Sequence, residues 1–208
     1  MDVNKRIEEL KIVPVVVLHD AKDAVPLAQA LMNGGLPVAE VTFRTAAAEA
    51  SIKAMTDAFP EMLVGAGTVT TVAQAEAAKN AGAKFLVTAG FNRKVTEYAI
   101  ENNLPIFSGA CTPTELMFLL EYDLPVAKFF PAAQYGGLDT IKALSGPFPN
   151  MKFMPTGGVS ASNIKEYLAN PKIIACGGSW MVKDTLVKEG KFDEIERLTR
   201  EAVALVNE

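Results

Sequence analysis

Residues 38–68 read VAEVTFRTAAAEASIKAMTDAFPEMLVGAGT. They divide into a β-rich run (Val38–Phe43), an Ala-rich amphipathic segment (Ala46–Phe59) and a second β-rich run (Leu63–Thr68). Short runs of β-branched and aromatic residues mark strands, and the longer segment has helical periodicity. A strand, a helix and a strand in succession form the unit from which parallel sheets are built. Outward from this unit the pattern recurs along the chain. Further strand candidates are Ile12–Leu18, Phe85–Ala89, Ile106–Ala110, Val126–Pro131, Lys152–Thr156 and Ile173–Cys176. Helical segments run through Asp23–Asn33, Val72–Ala81, Arg93–Glu101, Pro113–Glu121, Leu138–Leu144, Ala161–Ala169 and Phe192–Val206. Thr112-Pro113-Thr114-Glu115 has Thr before a first-turn Pro and Glu at the capping-box position. The 208 residues shared among eight units leave about 26 each, and hence short loops. That economy favours a single-domain (β/α)8 TIM barrel over residues 1–208, with a charged helical extension at Met1–Leu10, over an open doubly wound sheet.

Composition narrows the chemistry. Lys and Arg number 20 against 24 Asp and Glu, a formal charge of -4, which gives no support to binding nucleic acid. The first ten residues lack the apolar core of a signal peptide, and no later run approaches the ~20 apolar residues of a membrane span, so the expected location is the cytoplasm, with no membrane partner. His19 is the single histidine, and Cys111 and Cys176 stand far apart, so the usual metal-site spacings are missing. Lys, Glu, Arg, Ser and Thr remain to carry any reaction.

In a β/α barrel the active site forms where strands end and loops begin on the carboxyl side. Lys128 lies in Val126-Ala127-Lys128-Phe129-Phe130-Pro131, an otherwise apolar strand. Burial favours a lysine's neutral form, and a neutral amine is what attack on a carbonyl requires. A structural lysine paired with a carboxylate fits the strand equally well. In Val38–Arg44 the two-residue period places Glu40, Thr42 and Arg44 on one face. A Glu there can shuttle protons and an Arg can clamp a carboxylate; a buried ion pair of Glu40 with Arg44 or Lys128 is the plainer alternative. Thr156-Gly157-Gly158 and Gly177-Gly178-Ser179 read as glycine turns after strands seven and eight, where barrels commonly hold phosphate on backbone N–H groups. Gly65-Ala66-Gly67-Thr68-Val69 lacks the GxGxxG of a dinucleotide fingerprint. His19 reads as a loop or cap residue, and Trp180 and Cys176 as packing.

In this order, Glu40-Val41-Thr42-Phe43-Arg44-Thr45, Gly65-Ala66-Gly67-Thr68-Val69, Lys128-Phe129-Phe130-Pro131-Ala132, Pro155-Thr156-Gly157-Gly158-Val159 and Gly177-Gly178-Ser179-Trp180 resemble the 2-keto-3-deoxy-6-phosphogluconate aldolase family. The resemblance implies a metal-free, cofactor-free class I aldolase that splits this phosphorylated keto acid into pyruvate and D-glyceraldehyde 3-phosphate. Many members also cleave 4-hydroxy-2-oxoglutarate to pyruvate and glyoxylate. By the same resemblance the enzyme is a homotrimer. Lys128 is then the Schiff-base lysine, Glu40 the proton shuttle, and Arg44 with Thr68 the carboxylate ligands. Thr156 lines the pyruvate side, Phe130 packs beside the lysine, and Gly157, Gly158, Gly178 and Ser179 hold the phosphate. One stretch departs: Thr88-Ala89-Gly90 stands where the family often has Ser-Pro-Gly, which bears on rate and substrate preference. The alternatives are an aldolase for the C4-epimeric phosphogalactonate substrate, a phosphosugar isomerase or epimerase using Glu40 as base, and a sugar-phosphate binding protein without turnover.

Overall fold

The computed structural model describes residues 2–207. Helix α1 (Val3–Leu10) starts on Asp2, whose carboxylate accepts from the Lys5 N–H, and it buries Val3 and Ile7. Eight parallel strands follow: β1 (Ile12–Val16), β2 (Val38–Thr42), β3 (Leu63–Gly67), β4 (Phe85–Val87), β5 (Ile106–Gly109), β6 (Val126–Phe129), β7 (Lys152–Pro155) and β8 (Cys176–Gly178). Between them run α2 (Ala24–Asn33), α3 (Ala48–Ala58), α4 (Val72–Asn80), α5 (Arg93–Glu101), α6 (Pro113–Glu121), α7 (Gly137–Ser145) and α8 (Ile164–Leu168). Two further helices, α9 (Asp184–Lys188) and α10 (Phe192–Asn207), come after the last strand. The predicted capping box is present: Thr112 and Glu115 satisfy each other's backbone N–H groups at the start of α6.

Neighbouring strands pair in sequence order from β1 to β7, and β8 returns beside β1, with Cys176, Gly177 and Gly178 opposite Ile12, Val13 and Pro14. Bridges from Phe153 to Ile173 and from Thr156 to Gly177 join β7 to the last segment and close the ring. The fold is therefore the expected (β/α)8 barrel. A ring leaves no long unpaired strand edge, and the apolar strands bury both against the interior and against the surrounding helices.

The eighth strand differs from its predicted place. Ile173–Cys176 was the apolar run, yet the paired strand is Cys176–Gly178, and Ile173 contributes one bridge. A turn reading of Gly177-Gly178 is replaced by a packing one. A Cβ on Gly177 would lie 2.2 Å from Thr156 Oγ1, and one on Gly178 would lie 2.0 Å from the Trp180 ring. Gly65 and Gly67 in β3 serve in the same way: a Cβ on Gly65 would enter the Phe85 ring, and one on Gly67 would lie 2.1 Å from Glu40 Oε1. These glycines are needed for close approach inside a crowded barrel. Helix α9 was not anticipated, and α8 is shorter than the Ala161–Ala169 segment that predicted it. Among the described residues no helix is long and apolar enough to cross a membrane.

Candidate active site

Strands β2 and β6 stand four places apart in the eight-strand ring, on opposite walls, so a contact between them must cross the interior. Lys128 Nζ donates to Glu40 Oε1 at 3.1 Å across that gap. The two side chains are 4% and 0% exposed, so water does little to screen them. The second carboxylate oxygen, Glu40 Oε2, is buried with no hydrogen-bond partner among the described residues. Buried carboxylate oxygens normally have partners, and an unmatched one keeps acceptor capacity that a ligand hydroxyl can use. Phe130 places its ring with the centroid 5.5 Å from Lys128 Nζ, which walls the amine from solvent and faces it with π density.

Arg44 lies just beyond β2, and its Nε donates to Thr68 Oγ1 at 3.4 Å. Thr68 follows β3 directly with φ 55°, in the left-handed region. For a β-branched residue this conformation is strained, and strain of this kind gathers at ligand sites. Thr42, predicted to share the face of Glu40 and Arg44, turns its hydroxyl to the Val16 carbonyl at 2.9 Å and braces β2 on β1. Its role is structural.

A cavity of about 510 Å3 is lined by Arg44, Phe130, Thr156, Gly157, Gly158, Gly178 and Ser179, among others, whereas Lys128, Glu40 and Thr68 lie outside its lining, with Phe130 and Arg44 as their neighbours on its wall. It therefore gathers seven of the predicted site residues. Its volume suits a small metabolite. Gly157 and Gly158 have φ of 95° and 80°, which side chains rarely adopt. They are also pressed by the loop after β6: a Cβ on Gly158 would lie 2.4 Å from the Ala133 Cβ. That loop is pinned by Ala132 N–H to the Thr156 carbonyl at 2.8 Å and Ala133 N–H to the Gly157 carbonyl at 3.0 Å. Asn163 Nδ2 holds the Gly158 carbonyl from the far side at 2.9 Å. The glycine turn is thus rigid, with its backbone bordering the cavity. Thr156 Oγ1 is buried and, like Glu40 Oε2, has no partner among the described residues.

A buried lysine–glutamate pair, an arginine on a strained threonine and a glycine cradle form one constellation, and the KDPG and KHG aldolase family profile matches residues 3–198. The chain belongs to the KDPG and KHG aldolase family. It is 45% identical to the 2-dehydro-3-deoxy-phosphogluconate aldolase of Haemophilus influenzae over 97% of this chain and 95% of that one. It is similar to the crystal structure of KDPG aldolase from Legionella pneumophila, in which pyruvate was captured at low pH as a covalent carbinolamine intermediate. There the TM-score is 0.89 at 39% identity, covering 92% of this chain and 93% of that one. The Zymomonas mobilis 2-keto-3-deoxy-6-phosphogluconate aldolase, solved with 3-phosphoglycerate, gives a TM-score of 0.90 at 36% identity and covers 99% and 97%.

Within this member of the family the stretch after β4 is braced by side-chain hydroxyls. Thr88 Oγ1 accepts from the Gly109 N–H at 3.1 Å and lies 3.3 Å from Ser108 Oγ. The hydroxyls tie the end of β4 to β5. Gly109 is paired with Lys128 in register, so this brace reaches the strand position beside the lysine. Sequence reading missed several neighbours of the site. Val17, Lys183, Asp184 and Thr185 line the cavity. Cys111 Sγ donates to the Phe130 carbonyl at 3.1 Å. His19, read as a loop residue, meets Asp184 at 3.0 Å and links the loop after β1 to α9. The signal that would have flagged Lys183–Thr185 is position alone, since Lys183 ends the loop after the eighth strand and Asp184 and Thr185 open α9.

Proposed function

We propose that this chain is a cytoplasmic class I aldolase that cleaves 2-keto-3-deoxy-6-phosphogluconate to pyruvate and D-glyceraldehyde 3-phosphate, and also 4-hydroxy-2-oxoglutarate to pyruvate and glyoxylate. The observation that carries the reading is the Lys128–Glu40 pair, an amine and a carboxylate 3.1 Å apart and shut away from water. Transfer of one proton across this contact leaves a neutral amine, which adds to the C2 ketone to form a carbinolamine. Glu40 passes protons while water leaves, and the product is a protonated imine on Lys128. The free oxygen of Glu40 then takes the C4 hydroxyl proton. The electrons of the C3–C4 bond move into the iminium, the aldehyde departs, and an enamine remains. Protonation at C3 and hydrolysis release pyruvate and restore the amine. Arg44 and Thr68 hold the C1 carboxylate, Thr156 borders the pyruvate portion, and Gly157, Gly158, Gly178 and Ser179 receive the phosphate. In an isomerase or epimerase with Glu40 as base, Lys128 would act only as an electrostatic group and would form no imine.

Borohydride reduction in the presence of pyruvate tests the chemistry. A reduced three-carbon adduct on the Lys128 peptide is expected; an unmodified Lys128 under conditions of turnover overturns the mechanism. Pyruvate release coupled to lactate dehydrogenase, run with the phosphogluconate-derived substrate and its C4 epimer, assigns the sugar acid, with the first expected to be faster. For assembly, a homotrimer is proposed. Met117 and Leu120 on α6 and Tyr135 after β6 are large apolar side chains exposed at 58%, 48% and 54%, as a subunit contact would require. Light scattering at three chain masses supports the trimer, and one chain mass refutes it.

A further inference from the structure

Two cations line the cavity, Arg44 and Lys183, against one carboxylate, Asp184. Asp184 is already engaged twice, by His19 at 3.0 Å and by Lys188 at 2.5 Å. Lys183 has no ion pair among the described residues, so its charge remains available to the cavity. Both cations border the cavity with Gly157, Gly158, Gly178 and Ser179, but Arg44 donates to Thr68 after β3, three places around the ring from β8, whereas Lys183 follows β8 itself. The His19–Asp184 contact ties the residue beside Lys183 to the loop after β1, which restrains the main chain carrying the ammonium.

A glycine cradle fits phosphate by geometry, but its N–H groups carry only partial charges, and a phosphate monoester is close to a dianion at neutral pH. We propose that Lys183 supplies the full positive charge at the phosphate end and so sets the preference of the enzyme for phosphorylated over unphosphorylated keto acids. The inference rests on the aldolase reading and on the cradle as its phosphate end. A substrate with one anion at each end is then met by one cation at each end. 4-Hydroxy-2-oxoglutarate also carries a second anion, but its C5 carboxylate is singly charged and ends three bonds short of the position of the phosphorus, so it is expected to gain less from Lys183. Because the ammonium is exposed, its effect falls on binding and stays modest.

The test compares Lys183→Ala and Lys183→Arg with the wild type on both substrates. Lys183→Ala is expected to raise KM for the phosphorylated substrate roughly three- to tenfold, with kcat within about twofold and a smaller rise in KM for 4-hydroxy-2-oxoglutarate. Lys183→Arg should stay near the wild type. Titration with inorganic phosphate, followed by calorimetry, should show a similar loss of affinity in Lys183→Ala. Equal effects on the two substrates, or no effect on KM and phosphate affinity, overturn the proposal. A wild type that forms no pyruvate adduct would instead refute the aldolase reading, and the phosphate titration would still decide the part played by Lys183.

Discussion

Lys128 and Glu40 are each tolerable in the interior because the other is present. Removing one leaves a buried charge alone, which typically costs about 3–5 kcal/mol, whereas replacing both by groups of similar shape is often neutral. Lys128→Met should therefore abolish activity and lower stability by roughly that amount. Adding Glu40→Gln to it should recover much of the stability and none of the activity, as denaturant melts beside a pyruvate assay would show. A double variant no more stable than Lys128→Met would mean that the pair contributes little to the energetics of the core. Cys176 makes a second case. Burial pushes its thiol up to about 12 from an ordinary value of 9.0. Between those values the unfolded chain has released a proton that the folded chain keeps, so the sign is unfavourable: stability is intact below about pH 9 and declines as pH rises towards 12. Between about pH 8 and about pH 10 the wild type should lose more unfolding free energy than Cys176→Ala does. Equal losses would remove the thiol from the account.

At the level of elements, the loops after β6, β7 and β8 hold the cradle as a unit, and the glycines let them approach. Gly177 pairs with Val13 on one side and bridges to Thr156 on the other, with no room for a methyl group. Gly177→Ala should push Thr156 Oγ1 from its place, destabilise by roughly 1–3 kcal/mol and raise KM for the keto acid. Thermal melts and steady-state kinetics check both effects, and a variant with wild-type Tm and KM would show that β8 can shift outward without consequence. Gly190 offers the control, since a Cβ there meets nothing within 4 Å, although its φ of 66° still disfavours a side chain. The β4–β5 brace is made by side chains instead, with the Thr88 hydroxyl joining the Gly109 N–H and Ser108.

Across the whole molecule the two ends of the barrel have separate duties. The carboxyl ends of the strands carry the cavity, and the amino ends are covered by α1, which enters β1 directly and buries Ile7 completely. Lys11, between them, donates to the Val206 carbonyl at 2.7 Å and joins this end to α10. Ile7→Ala should cost about 2–5 kcal/mol in stability while leaving kcat/KM unchanged at moderate temperature. A fall in kcat/KM of the folded variant would show that the two ends are coupled.

The alternation of strands and helices, the eight-unit count and the α6 capping box were all legible in the chain, because each depends on periodicity or capping within a window of a few residues. Lys128 stood out for the same reason, as a charge in an apolar strand. The local pattern left open whether Glu40 would meet Lys128 or Arg44, and it misplaced the eighth strand by reading Gly177-Gly178 as a turn. It also gave no sign that His19 would reach Asp184 or that Lys183 would line the cavity. Those pairings join residues as far as 165 positions apart, as His19 and Asp184 are, and they exist only once the ring has closed. Closure turns opposite walls into neighbours, and no short window of sequence records which side chains will then meet.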